Sequence, residues 1–162
     1  MIKIKPASFE DANVIHQLAH QIYFPTYRDI LSQDQMEFML IKSYSVEALK
    51  RSMIEEQTFY LASKEDQALG FMSISEKDNQ ILRIEKLYLL PEYQGQGLGK
   101  KFIEFAKTLA ISFDKSIIEL NVNRGNKAFF FYKKMGFITL CEVDIPYYGY
   151  VLDDFVMQLK VN

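Results

Sequence analysis

Cysteine is almost missing: Cys141 is the only one in 162 residues. That excludes an intrachain disulfide framework and any metal site built on two or more thiolates, and makes a reducing, cytoplasmic setting the expectation. Long apolar runs are missing too. No segment approaches the roughly 20 apolar residues that cross a bilayer. The opening Met1-Ile2-Lys3-Ile4-Lys5-Pro6 lacks the apolar core and cleavage region of a secretory signal. Nor is there an excess of charge of either sign, since 19 Lys plus Arg stand against 21 Asp plus Glu, a formal net charge of -2. Balanced charge argues against a nucleic-acid binder that neutralises many phosphates. Finally there is no Ser/Gly-rich linker, low-complexity run or internal repeat, so one domain over residues 1–162 is expected. Its partners should be small molecules or proteins, with no membrane contact.

What is present reads as mixed α/β. Ile2, Ile4 and Pro6 suggest a short first strand, and Ser8 with Glu10 and Asp11 reads as a helix start. Val14, Ile15, Leu18, Ala19 and Ile22 recur at helical spacing until Phe24-Pro25-Thr26-Tyr27 interrupts them. Ser32 or Asp34 opens a second helix and Ser45 a third, running to about Glu55. The period then changes. Residues 59–63 and 68–74 read as a hairpin, and the run from Ile81 to Leu90 as a long strand stopped by Pro91. A helix from Leu98 to Ile111 leads to a strand at Ile117–Val122, a parallel crossover in outline. Asn126 caps a helix ending near Met135-Gly136, and Phe137–Val143 and Phe155–Leu159 are the last strands. The expected fold has helices on both faces of a mixed central sheet.

The most informative segment is Gln94-Gly95-Gln96-Gly97-Leu98-Gly99-Lys100, between the long strand and the long helix. Missing side chains let backbone approach a ligand, and the free amides and dipole of a helix N-terminus suit a pyrophosphate. A turn whose glycines serve packing alone is the competing reading. Spacing excludes two nucleotide motifs. A phosphate-binding NTPase loop wants Gly-Lys followed by Ser or Thr, whereas Lys101 follows Gly99-Lys100. A dinucleotide fingerprint wants Gly-x-Gly-x-x-Gly at an early strand-to-helix turn, whereas Gly95, Gly97 and Gly99 come late.

The stretch Leu87-Tyr88-Leu89-Leu90-Pro91-Glu92-Tyr93-Gln94-Gly95-Gln96-Gly97-Leu98-Gly99 resembles the acetyl-CoA signature of the Gcn5-related N-acetyltransferase (GNAT) superfamily. Asn126-Lys127-Ala128-Phe129-Phe130-Phe131-Tyr132-Lys133-Lys134-Met135-Gly136-Phe137 resembles that superfamily's later helix, correctly placed relative to the first. One departure is that Asn126 lies two residues before Ala128, where many members have three. The resemblance covers essentially the whole chain. It implies the GNAT fold and direct transfer of an acetyl group from acetyl-CoA to a primary amine.

On this resemblance the cofactor pyrophosphate meets the backbone of Gln94, Gly95, Gln96, Gly97, Leu98, Gly99 and Lys100. The pantetheine arm pairs with backbone near Leu87 and Leu89, at a bulge that splays two parallel strands, and Asn126 contacts the arm. Tyr132 matches the tyrosine that protonates the leaving thiolate; a phenol pKa of about 10 suits that role. Packing between helix and sheet is the alternative for Tyr132. Glu85 is the candidate that takes the amine proton, directly or through water, against a solvent-facing carboxylate paired with Lys86 or Arg83. Tyr27, Tyr147 and Tyr148 are candidates for the acceptor rim. Cys141 is expected in the core. His16 and His20, four apart, lack a completing ligand, so no metal is assigned.

The tail Asp144–Met157 resembles a bacterial subgroup that includes spermidine/spermine acetyltransferases. Glu85, Asp144, Asp153 and Asp154 would suit a polyamine if they shared one wall. Peptide or protein amines, amino acids and antibiotic amines remain open as acceptors. Two non-enzymatic alternatives are an acyl-CoA sensor and a plain interaction domain. A homodimer like those of relatives is a further expectation.

Overall fold

The computed structural model describes residues 1–161. Seven strands form one mixed sheet in the order β1-β2-β3-β4-β5-β7-β6. They are β1 (Lys3–Pro6), β2 (Thr58–Lys64), β3 (Gln67–Glu76), β4 (Ile81–Leu89), β5 (Ile117–Asn123), β6 (Ile138–Tyr147) and β7 (Tyr150–Lys160). Five helices complete the fold: α1 (Ala12–Tyr27), α2 (Gln33–Tyr44), α3 (Val46–Glu55), α4 (Leu98–Ser112) and α5 (Ala128–Lys134). The chain divides into two compact units, one of Met1–Ser75 with Glu85–Phe102, the other of Glu76–Ile84 with the chain from Ile103 onward.

In the first unit α1, α2 and α3 share an apolar core with β2 and β3. Ile15, Leu18, Ile22, Tyr23 and Tyr27 of α1 meet Met36 and Tyr44 of α2, Leu49 of α3, and Phe59 and Phe71 of the strands. Local chemistry starts each helix. The Ser8 amide donates to the Asp11 carboxylate (2.8 Å), Ser32 accepts from the Gln35 amide and Ser45 from the Ala48 amide. Contrary to the sequence reading, α1 continues through Pro25. The ring removes a hydrogen bond to the Gln21 carbonyl, but Gln21 and Pro25 are exposed, while Ile22, Tyr23 and Tyr27 stay buried. Packing of the buried stripe outweighs the lost bond.

The β2–β3 hairpin turns on Glu65 and Asp66, both with positive φ, as a two-residue turn with right-handed strand twist requires. Its register slips by one: Ala62 pairs with Gly70 and Ser63 with Ala68, so Leu69 is an extra residue on β3.

In the second unit β4 pairs in parallel with β5 from Ile81–Ile117 to Ile84–Leu120, and β5 pairs antiparallel with β7. Phe129 of α5 stacks on Phe155 of β7 at 4.8 Å. Strands β6 and β7 extend well beyond the sequence-based ranges because Tyr148-Gly149, both at positive φ, closes them into a long hairpin. Cys141 is exposed, which corrects the expectation of a core residue: β6 is the edge strand, and nearly all of its residues face solvent.

Glu119 is buried on β5 and accepts hydrogen bonds from Lys77 (2.9 Å), Gln158 (2.9 Å) and Arg83. Burial raises the pKa of its carboxyl, but those donors and the Arg83 charge outweigh burial and hold it below the ordinary range.

Candidate active site

The first unit contains the end of β4 and the glycine turn. Leu87 and Leu89 are partly buried there. Pro91 then opens a short 3-10 turn, closed by the Tyr93 amide on the Leu90 carbonyl (2.9 Å) and the Gln94 amide on the Pro91 carbonyl (3.2 Å). Gly95 (φ +76°) and Gly97 (φ +86°) lie in the left-handed region, and a Cβ on either would meet nothing within 4 Å. These glycines therefore serve the backbone path, with open space beside them, and packing does not explain them. The Gln94 side chain donates to the Leu89 carbonyl (3.3 Å) and that of Gln96 to the Glu92 carbonyl (2.7 Å), so both brace the turn. The first backbone bond of α4 runs from the Lys101 amide to the Gly97 carbonyl (3.1 Å). That leaves Leu98, Gly99 and Lys100 as first-turn donors with no acceptor inside the helix. Free first-turn amides of this kind are chemically able to donate to an anion.

Upstream on β4, Glu85 is exposed and accepts from the Ser75 hydroxyl (3.0 Å). Lys86 is buried. Its Nζ donates to Gln57 Oε1 (3.0 Å), which also accepts from Ser73, and stands 5.8 Å from the Tyr44 ring centre and 5.6 Å from that of Phe59. Burial pulls its pKa down to about 8, against the charges of Glu85 and Glu56. Two residues on, the Tyr88 hydroxyl lies 2.9 Å from that of Tyr27. Burial above all, then Tyr27, Tyr44 and Tyr23, pushes the Tyr88 phenol well above the ordinary tyrosine range. The structure thus puts Tyr27 in a buried tyrosine cluster, its ring 4.5 Å from Tyr23. Sequence reasoning named Lys86 only as a partner for Glu85 and Tyr88 only within the signature stretch; their two-residue spacing on a strand was the available signal that they share a face.

In the second unit Tyr132 is buried in α5, its ring edge-on to Phe131 at 5.4 Å and to Phe137 at 5.6 Å. Asn126 Oδ1 accepts from the Ala128 amide (2.9 Å), a local turn just ahead of α5; the N-cap is Lys127, which makes no side-chain cap bond, and this corrects the expectation of Asn126 as the cap. A cavity of about 240 Å³ opens beside it, lined by Arg124, Gly125, Asn126, Lys127, Phe129, Phe130 and Phe155. Tyr148 occupies the β6–β7 turn, exposed, with its ring 4.8 Å from that of the half-buried Tyr147. Register sets Asp144 directly opposite Asp153, which leaves Asp154 on the other face of the hairpin. Asp154 therefore does not share a wall with Asp144 and Asp153. Asp144 pairs with Arg124, Asp153 accepts from Asn123 (3.1 Å) and Asp154 from Asn121 (3.3 Å). Burial, aided by Asp153, raises the Asp154 pKa. His16 donates from Nδ1 to the Tyr44 carbonyl (2.7 Å) and His20 to that of His16 (2.9 Å). Among the described residues no group of three or more potential ligands could hold a metal ion.

Residues 27–151 match the family model described as an acetyltransferase (GNAT) domain. The chain belongs to the GNAT family. It is an acetyl-CoA-dependent N-acetyltransferase, as the two signature segments implied. This GNAT chain is 31% identical over 144 residues to a spermidine N(1)-acetyltransferase of Thermoplasma acidophilum, covering 84% of this chain and 88% of that protein. It is 32% identical over 93 residues to the peptidyl-lysine N-acetyltransferase YjaB of Salmonella typhimurium, covering 57% and 58% of the two. Its fold matches the PaiA N-acetyltransferase of Thermoplasma acidophilum, solved with coenzyme A, at a TM-score of 0.85, 26% identity and 99% coverage of both chains.

Proposed function

We propose that this GNAT enzyme acetylates a primary amine of a polyamine, in the cytoplasm, with residues 1–162 acting as one catalytic domain and with homodimers as the working assembly. Acetyl-CoA supplies the acetyl group as an activated thioester. The amides of Gln94, Gly95, Gln96, Gly97, Leu98, Gly99 and Lys100 hold the pyrophosphate, a role supported by the open cradle at Gly95 and Gly97. Leu87 and Leu89 offer backbone to the pantetheine arm, and Asn126 contacts it while its own oxygen holds the Ala128 amide.

Glu85, directly or through water, accepts the proton that the ammonium must lose before its lone pair attacks the thioester carbon. A backbone amide of β4 donates to the carbonyl oxygen as negative charge develops there. As the carbon–sulfur bond breaks, the Tyr132 hydroxyl gives its proton to the sulfur. Tyr147 and Tyr148 shape the acceptor entrance.

The observation that carries the acceptor class is the similarity to a spermidine acetyltransferase over most of both chains. Acidic Asp144 and Asp153, set side by side on the β6–β7 hairpin, support it. Product mass spectrometry after incubation with acetyl-CoA and spermidine, or with a lysine-containing peptide, tests the choice. Singly acetylated spermidine is the expected product; acetylation of the peptide alone would move the assignment to protein amines.

A further inference from the structure

We infer that Gly70, on β3, is a positioning residue whose missing side chain lets the Tyr88–Leu89 peptide of β4 tilt, aiming the Leu89 amide toward the thioester carbonyl. This rests on the placement of the pantetheine arm beside Leu87 and Leu89 proposed above.

The two strands meet here, since the Leu90 amide donates to the Leu69 carbonyl at 2.9 Å. A Cβ on Gly70 would stand 2.6 Å from the Tyr88 carbonyl oxygen, 3.0 Å from Leu89 Cδ2 and 3.2 Å from Leu89 Cα. A leucine tip can swing aside; a backbone oxygen moves only with its strand. Gly70 lies inside a strand and outside the left-handed region, so close approach, rather than backbone freedom, accounts for the glycine. The extra residue Leu69 sits immediately before it, and such a bulge re-aims the backbone around it.

The carbonyl and N–H of a trans peptide point in opposite directions, and the described residues include no cis bond. With the Tyr88 carbonyl leaning onto β3, the Leu89 N–H is turned to the far side of β4. A fixed backbone donor of this kind stabilises developing oxyanion charge because its orientation is set before the reaction begins. A methyl group at Gly70 would push the carbonyl off β3 and rotate the donor with it.

Gly70→Ala tests this. The turnover number should fall about a hundredfold, the loss that a misplaced catalytic donor causes. The dissociation constant for free coenzyme A should rise far less, by under about tenfold, because the pyrophosphate contacts at the glycine turn are untouched. Leu49→Ala, a truncation in the buried face of α3, serves as a stability control: it should lower the melting temperature and leave turnover per folded enzyme unchanged. Gly70→Ala/Leu89→Ala should not recover, since the clash with the backbone oxygen remains. In the wild type, which needs no variant to fold, the Leu89 amide proton should shift on addition of acetyl-CoA more than that of Leu90. Unchanged turnover in folded Gly70→Ala, a loss no larger than in Leu49→Ala, or a Leu89 amide indifferent to acetyl-CoA would each overturn the inference. A wild-type enzyme that binds no coenzyme A would instead remove the site assignment itself.

Discussion

Lys86 places an ammonium group among the rings of Tyr44 and Phe59, and burial holds its pKa at about 8, against an ordinary 10.5. The folded protein thus releases this proton before the unfolded chain does. Between about pH 8 and pH 10.5 the unfolded state binds more protons, so this residue makes stability rise with pH in that window. A shift of this size corresponds to about 3 kcal/mol. Lys86→Met should raise the melting temperature at pH 7 and remove the alkaline rise; denaturant melts of both proteins across pH 7–10.5 make the comparison. Tyr132→Phe should cut turnover strongly with acetyl-CoA affinity nearly unchanged, and a loss confined to binding would contradict the acid role. Glu85→Gln should depress the rate most on the acid side of the pH–rate profile; an unaltered profile would pass proton removal to water or another group. None of the side-chain partners of Lys86, nor the close approach at Gly70, was legible in the sequence. Both depend on which strand faces which, and a local pattern does not carry that. Cys141 misled for the same reason: a strand residue is buried or bare according to the strand's place in the sheet.

At the scale of elements the reading was stronger, because capping and turn chemistry is local. Ser32 and Ser45 announced α2 and α3, and Pro91 and the glycines announced the end of β4 and the start of α4. The errors came where tertiary packing overrode a local signal. Pro25 reads as a stop but sits on the solvent side of α1, and the Tyr148-Gly149 turn went unread, which shortened β6 and β7. Of the candidate site, the glycine turn was fully legible, whereas the bracing by Gln94 and Gln96 was not. That turn also gives a clean prediction. A Cβ at Gly97 meets nothing within 4 Å, so the main stability cost of Gly97→Leu should be the strain of a left-handed backbone, about 1–2 kcal/mol. Coenzyme A affinity should fall much further, because the side chain occupies the cradle. Calorimetric titration of the folded variant checks it, and unchanged affinity would take the pyrophosphate away from this turn.

On the scale of the molecule, a seven-stranded mixed sheet, a near-neutral charge and two signature segments define a GNAT acetyltransferase. The acceptor is written less plainly, since Asp144, Asp153 and Asp154 fall on two faces of one hairpin and Arg124 already pairs with Asp144. The central claim is amine acetylation by direct transfer from acetyl-CoA. Its most direct test is release of free thiol from acetyl-CoA across spermidine, spermine, amino acids, aminoglycosides and short peptides. Saturable thiol release with the polyamines is expected; tight acetyl-CoA binding without turnover on any amine would contradict direct transfer.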